Sequence, residues 1–149
     1  MIKMDENFEI KAAKAEHCDQ IKILLDQLGY PLTREQIKSR LNLYNEDFHK
    51  CFLGCIGGNV VGLIAISIRE LFVIEGRKMF IEALVVDENF RGRNIGEKLL
   101  KFAEDYGREI GCSIVELTSG KRREKDGSLR FYNRLGYGDR DKNYLGKYI

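Results

Sequence analysis

The sequence predicts a mixed α/β (α+β) domain with a mainly antiparallel sheet of six to seven strands and helices on both faces. Apolar residues recur with helical spacing early in the chain and again after Gly96, whereas runs of β-forming residues separated by turn residues fill the centre. The length of 149 residues, with 44% hydrophobic and 32% charged residues, is typical of a single globular domain spanning residues 1–149.

The first third of the chain is predicted to hold one strand and two helices. Residues Phe8–Ala13 alternate between apolar and polar side chains, as a half-buried strand does. From Ala15 to Leu28 the apolar residues follow a helical period, and Gly29 ends that helix. Thr33 begins the pattern Thr-Arg-Glu-Gln, which predicts a capping box at the start of a second helix.

The centre of the chain is predicted to form a meander of antiparallel strands. The β-rich runs Cys51–Ile56 and Val60–Ile68 are separated by Gly57-Gly58-Asn59, a sequence suited to closing a hairpin. Residues Phe72–Gly76 mark the next turn, and Lys78–Val86 form a further strand. The meander therefore leads directly into the segment after Val86.

The last third is predicted to hold the one parallel crossover of the sheet. A long amphipathic helix after Gly96 ends at Gly111 and leads to a short strand at Ser113–Thr118. A polar, basic loop around Lys121–Lys125 and a short helix at Ser128–Leu135 follow, and Asn143–Ile149 are predicted to form the last strand.

Charge and composition narrow the possible functions. Twenty-five Lys and Arg residues against 23 Asp and Glu residues are too balanced for the basic field of a typical nucleic-acid-binding protein. The first residues lack the apolar core of a signal peptide, and no run approaches the roughly 20 apolar residues of a membrane span. We therefore expect a cytoplasmic protein with neither a nucleic-acid nor a membrane partner.

The four cysteines predict neither a metal site nor a catalytic thiol. They are Cys18, Cys51, Cys55 and Cys112; they contain no C-x-x-C pair, and the two histidines make no ligand spacing with them. We expect small buried or half-buried thiols.

The segment Arg91-Gly92-Arg93-Asn94-Ile95-Gly96 has the features of an anion-binding turn. It follows a buried strand and precedes an amphipathic helix, so that backbone N–H groups and the positive helix end would face a bound phosphate. The segment lacks the Gly-Lys-Ser/Thr of a Walker loop and the three spaced glycines of a dinucleotide fingerprint. The two common nucleotide loops are therefore disfavoured.

This segment resembles the pyrophosphate-binding motif of the GCN5-related N-acetyltransferase (GNAT) superfamily, [Q/R]-x-x-G-x-[G/A]. The later segment Phe131–Tyr137 is similar to the second hallmark of that family, F-Y-x-x-x-G-[F/Y]. Asn94 stands where the family has its middle glycine. Asparagine tolerates a left-handed backbone, so we expect the turn to form.

The resemblance implies transfer of an acetyl group from acetyl-CoA to a small-molecule or peptide amine, without a metal. The backbone of residues 91–96 would hold the CoA pyrophosphate, with help from the Arg91 and Arg93 side chains. The strand end Leu84-Val85-Val86 would pair with the pantetheine arm, and one of its N–H groups would polarise the thioester carbonyl. Asn133 is a further expected contact of the cofactor.

Two residues are candidates for proton transfer. Tyr132 stands at the position of the family's general acid, which protonates the leaving thiolate; its alternative role is that of a core aromatic beside Phe131. Glu82 interrupts an apolar strand two residues before Leu84 and is expected to share a face with Leu84 and Val86. Glu82 is predicted either to accept the amine proton or to bind a cationic substrate.

Two other classes of function remain open on the sequence. A non-catalytic acyl-CoA-binding or sensor module would keep the same fold, as would a subunit that binds a partner protein. A strand near the C-terminus would also offer an edge for a homodimer.

Overall fold

The computed structural model describes residues 7–119, 127–140 and 142–149. Their contacts group into two compact units, one extending to Leu117 and the other beginning at Thr118. The sheet and three of the helices belong to the first unit.

Within the described residues, six strands form one sheet in the order β1-β3-β4-β5-β6, with β2 paired to β3. The strands are β1 (Phe8–Ala12), β2 (Asn45–Glu46), β3 (His49–Ile56), β4 (Asn59–Glu70), β5 (Arg77–Val86) and β6 (Cys112–Leu117). Neighbouring strands are antiparallel except β5 and β6, which are parallel. The predicted meander and parallel crossover are therefore confirmed.

The helices begin and end where their sequences allow it. They are α1 (Cys18–Leu28), α2 (Arg34–Leu43), α3 (Ile95–Glu109) and, in the second unit, α4 (Ser128–Arg134). Gly29 ends α1 in a left-handed conformation, with φ of 94°. The predicted capping box is present, since Thr33 Oγ1 accepts from the Gln36 N–H and the Gln36 side chain accepts from the Thr33 N–H.

The two faces of the sheet carry different helices. On one face, side chains of α1 and α2 such as Leu24 and Ile37 form a buried cluster with Leu53 and Leu63 of the sheet. On the other face, α3 lies so close that a Cβ added to Gly62 would be 2.9 Å from Leu99 Cδ1. The predicted helices on both faces are confirmed.

The predicted C-terminal strand at Asn143–Ile149 is wrong. Residues 142–149 have no regular secondary structure, and the side chains of Tyr144, Leu145, Tyr148 and Ile149 are exposed. The segment has β-forming residues, but propensity alone makes no strand without a pairing partner. Instead, the sheet contains the two-residue strand β2, which the sequence did not predict. The predicted loop Lys121–Lys125 lies outside the described residues.

No helix in the described ranges is long and apolar enough to cross a membrane.

The close approach of β4 and α3 predicts a strong dependence of stability on Gly62. A Cβ there would also lie 3.2 Å from Ile95 Cγ2 and 3.3 Å from the Val85 carbonyl oxygen. We expect Gly62→Ala to lower the free energy of unfolding by about 1–3 kcal/mol through overpacking, measured by urea denaturation. Gly138→Ala is the control, because a Cβ at Gly138 meets no described atom within 4 Å. Equal stability of both variants would contradict the tight contact.

Candidate functional site

The strands β5 and β6 separate beside the segment that carries the predicted cofactor motif. Pairing of β6 with β5 ends at Ile81↔Leu117, whereas β5 continues to Val86 and pairs with β4 up to Val86↔Gly62. Among the described strands, none pairs with the second edge of residues 82–86. Unpaired backbone groups on such an edge can bind an extended ligand as an additional strand.

The turn after β5 is held in place by local hydrogen bonds. Asp87 Oδ1 accepts from the Asn89 N–H at 3.0 Å and starts a short 3₁₀ helix at Glu88–Phe90. Asp87 N–H also donates to the Val61 carbonyl at 2.8 Å, which ties the turn to β4. Arg91 Nε donates to the Val86 carbonyl at 3.3 Å and connects the turn to the end of the strand.

The residues predicted to hold the pyrophosphate form the entry to α3. Gly92 has φ of 79°, and a Cβ there would meet no described atom within 4 Å, so space lies beside its backbone. Arg93 stacks its guanidinium on the Phe90 ring, 5.1 Å from the ring centroid. At the first residues of α3, Ile95 and Gly96, helix geometry leaves the N–H groups without acceptors inside the helix. Together with the helix dipole, these groups can bind an anion.

Asn94 adopts the conformation that the sequence required of it. Its φ of 62° and ψ of 18° are left-handed, and it is the one non-glycine among the described residues with positive φ. Asparagine accepts this conformation at a lower cost than other side chains. The turn therefore forms with asparagine at the position of the family's glycine, as predicted.

Gln27 is a supporting residue that sequence reasoning missed. Its side-chain oxygen accepts from the Glu88 N–H at 2.9 Å, so the end of α1 braces the turn after β5. The two residues are 61 positions apart, and a glutamine near the end of a helix has no pattern that would identify this contact.

Glu82 occupies a β-bulge. The register of β5 against β4 changes between Ile66↔Ile81 and Ala65↔Ala83, which leaves Glu82 as the extra residue. Before the bulge, Met79 faces α3, since a Cβ on Gly107 would lie 2.8 Å from Met79 Cε. After it, Ala83 and Val85 pack with the cluster under α1 and α2. The strand therefore turns over at Glu82.

The bulge corrects the predicted orientation of Glu82. Simple alternation placed its side chain on the face of Leu84 and Val86, but its carboxylate accepts a hydrogen bond from Tyr44 Oη. Tyr44 packs against the α1–α2 cluster, and the residue next to Glu82, Ala83, does so too. Alternation failed because a bulge shifts the period of two by one residue.

Tyr44 is a second residue that the sequence did not identify as part of this site. It lies at the C-terminal cap of α2, and its ring meets the His49 ring edge-on at a centroid distance of 5.2 Å. Burial, and then the hydrogen bond and charge of Glu82, raise the pKa of the Tyr44 phenol above its ordinary value. The phenol therefore stays protonated and donates to the carboxylate.

The second unit contains the segment of the other predicted motif. The Tyr137 N–H donates to the Tyr132 carbonyl and the Gly136 N–H to the Asn133 carbonyl, and Gly136 has φ of 95°. This is a Schellman motif, which explains why a glycine follows the helix α4. The half-buried rings of Tyr132 and Phe131 meet edge-on at 5.2 Å, and Asn133 is exposed.

The cysteines behave as structural thiols. Cys18, Cys51 and Cys55 are buried, Cys112 is half-buried, and all four are free. Burial raises the pKa of the Cys51 thiol to about 12, so it is not a nucleophile at neutral pH. In the described part of the chain, no group of three or more His, Cys, Asp or Glu side chains is arranged to hold a metal ion.

The chain belongs to the acetyltransferase (GNAT) family, whose sequence model matches residues 18–137. This range contains both predicted motifs and most of the sheet. The predicted family and fold class are therefore confirmed.

Two curated relatives are similar in sequence. The chain is 31% identical over 135 residues to an aminoalkylphosphonate N-acetyltransferase of Salmonella typhimurium, covering 87% of this chain and 84% of that protein. It is also 35% identical over 100 residues to an uncharacterized N-acetyltransferase of Methanocaldococcus jannaschii. That match covers 66% of this chain and 43% of the relative, so the chain spans less than half of the longer protein.

A solved structure of an aminoglycoside N-acetyltransferase, AAC(6')-Iy, in complex with CoA has the same fold. It superposes with a TM-score of 0.80 at 18% identity, over 95% of this chain and 94% of that one.

The left-handed backbone of Asn94 predicts which replacements the turn tolerates. We expect Asn94→Gly to change the free energy of unfolding by only a few tenths of a kcal/mol, and Asn94→Val to lower it by about 1–2 kcal/mol. Asn42→Val, at an exposed position of α2, controls for the loss of the asparagine side chain, because asparagine and valine have similar helix propensities. Urea denaturation of the three variants gives the comparison. Equal stability of Asn94→Val and Asn94→Gly would contradict a conformational role for Asn94.

Proposed function

We propose that the chain transfers the acetyl group of acetyl-CoA to the primary amine of a small molecule. The amine nitrogen attacks the thioester carbonyl directly, the C–S bond breaks, and an amide and CoA are formed without a covalent enzyme intermediate. The observation that carries this proposal is the edge of residues 82–86, which pairs with no described strand and leads into the left-handed turn at Asn94 and the start of α3. An extended arm that ends in a pyrophosphate matches that arrangement.

The turn would bind the pyrophosphate mainly through its backbone. The N–H groups between Arg91 and Gly96 provide donors, and the open space beside Gly92 permits close approach of an anion. The guanidinium of Arg91 has donors besides Nε, which is bound to the Val86 carbonyl. Arg91 can therefore brace the turn and bind a phosphate oxygen with the same side chain.

The strand end Leu84–Val86 would bind the pantetheine arm and the thioester. Main-chain N–H and C=O groups on the unpaired edge can pair with the amides of pantetheine. An N–H directed at the thioester oxygen stabilises the negative charge that develops there, an effect worth roughly 10²- to 10³-fold in rate.

Protons must move at both reacting atoms. An alkylamine with a pKa of about 10.4 is protonated at neutral pH, so its nitrogen loses one proton before attack and a second as the amide forms, and the departing thiolate gains one. We assign protonation of the thiolate to the Tyr132 hydroxyl, which stands at the family's position for this group. Glu82, which is exposed on the bulge, is the carboxylate that acts on the amine substrate. It serves either as the base or as the group that binds the cationic amine.

The name of the Salmonella relative supports a small acceptor. An aminoalkylphosphonate is a small molecule with a primary amine, and the match to that protein covers most of both chains. We therefore favour a small-molecule amine over a peptide amine.

The assignment of the turn predicts the effect of two substitutions on CoA binding. Arg91→Ala and Gly96→Val are each expected to raise the dissociation constant for CoA about tenfold or more, because each disturbs a charge-assisted or backbone contact to phosphate. Isothermal calorimetry measures the affinity, and a thermal melt checks that each variant is folded. Arg108→Ala, an exposed arginine at the other end of α3, is the matched control. Unchanged CoA affinity in both test variants would remove the assignment.

The role of Tyr132 predicts a loss of turnover without a loss of CoA binding. We expect Tyr132→Phe to lower kcat by about 10²- to 10⁴-fold, measured as thiol release from acetyl-CoA with a panel of primary amines. Tyr144→Phe, at an exposed position near the C-terminus, should retain full activity. If the wild-type chain binds CoA and acetylates no amine of the panel, the alternative of a non-catalytic CoA-binding module holds.

A further inference from the structure

We propose that Arg40, Tyr44 and Glu82 form the acceptor subsite, and that this subsite binds a small amine that also carries an acidic group. The inference rests on the proposed function and specifies its substrate class. Arg40 lies on α2 and Tyr44 at the C-terminal cap of that helix, whereas Glu82 lies on β5, so the subsite joins a helix end to the bulge of the sheet.

The Tyr44–Glu82 hydrogen bond orients the carboxylate. Tyr44 Oη donates to Glu82 Oε2, and within the described part of the chain Oε1 has no hydrogen-bond partner. A carboxylate oxygen accepts charge-assisted hydrogen bonds from a protonated amine. With Oε2 held by the phenol, Oε1 remains available for the amine of the acceptor.

Tyr44 can orient the carboxylate because it is itself well fixed. Its N–H donates to the Arg40 carbonyl at 2.8 Å, its ring meets the His49 ring, and its side chain packs against the α1–α2 cluster. A partly buried tyrosine with these contacts loses little further freedom when it holds a partner. Tyr44 is therefore a positioning residue, since it acts through Glu82.

Arg40 supplies the opposite charge one helical turn away. Tyr44, at the C-terminal cap of α2, donates its N–H to the Arg40 carbonyl, so the two residues are neighbours at the end of this helix. The two side chains also interact electrostatically, because the positive charge of Arg40 acts to lower the pKa of the Tyr44 phenol. The Arg40 side chain is exposed and lies within 4.0 Å of no described carboxylate. Its guanidinium is free to bind an anionic group of the acceptor in a bidentate manner.

This arrangement selects acceptors by both ends. The carboxylate of Glu82 attracts the amine, and the guanidinium of Arg40 attracts a phosphonate, phosphate or carboxylate on the same molecule. A neutral alkylamine would satisfy only Glu82. An acidic amine would bind to both groups. Because it would be held at both ends, it would present its nitrogen to the thioester in one orientation.

The first test compares matched acceptors. We expect kcat/KM for aminoethylphosphonate to exceed that for ethylamine at least about tenfold, and that for β-alanine to exceed that for propylamine, as charge-assisted binding of an acid group requires. The two pairs distinguish a phosphonate from a carboxylate as the acidic group. Equal values within both pairs would overturn the proposed substrate class.

The second test assigns the preference to Arg40. In Arg40→Gln the ratio of kcat/KM between the acidic and the neutral amine of each pair should fall to about one. Lys38→Gln is the matched control, because Lys38 is an exposed cation on α2 that lies two residues away and on another side of the helix. Retention of the preference in Arg40→Gln, or its loss in both variants, would contradict the role of Arg40.

The third test concerns the positioning role of Tyr44. Tyr44→Phe is expected to raise KM for the amine about tenfold with little change in kcat or in KM for acetyl-CoA. In Glu82→Gln the additional Tyr44→Phe change should add little, since the carboxylate is already absent. A purely structural role would instead lower stability and affect both substrates, and additive effects in the double variant would also overturn the coupling.

A binding measurement separates this inference from the proposed function. Calorimetry with aminoethylphosphonate and the CoA-bound protein requires no turnover. Binding that weakens about tenfold in Arg40→Gln, but not in Lys38→Gln, supports the subsite even if no amine is acetylated. Absence of any difference between these two variants would overturn it even if acetylation occurs.

Discussion

A single extra residue in β5 determines how the surroundings of the site are arranged. The bulge at Glu82 turns the strand over, so that Met79 packs towards α3 and Val85 packs under α1 and α2. Without it, both residues would face the same helices, and β5 would contribute these side chains to only one face of the sheet. The bulge also exposes a carboxylate in the middle of an apolar strand, where a regular pleat would have either buried it or turned it to the other face.

The second half of β5 connects the sheet to the turn before α3 and leaves one of its own edges without β6. One edge remains paired with β4, the other has lost β6, and the chain passes directly into the turn that starts α3. This region is held by contacts with β4, α1 and α3. Asp87 bonds to β4, Gln27 of α1 holds Glu88, and Gly62 lets α3 lie directly on the sheet. A backbone edge held in this way can bind a ligand with little reorganisation.

Prediction from sequence succeeded where the signal was local. The capping box at Thr33, the glycine ends of the helices and the left-handed Asn94 all depend on the conformational limits of one or a few neighbouring residues. It failed where pairing decided the outcome. The β-forming residues Asn143–Ile149 form no strand, and the two residues of β2 do, because a strand requires a partner that its own sequence does not specify.

The sequence by itself determined the fold class, the family and the location of the turn that starts α3, because periodicity and two short motifs carry that information within a few residues. Only the tertiary structure decided which groups surround Glu82 and what supports the turn. Tyr44 reaches Glu82 across 38 residues, and Gln27 reaches Glu88 across 61. Contacts at such separations arise from helix packing and from one change of strand register, neither of which leaves a pattern in the residues concerned.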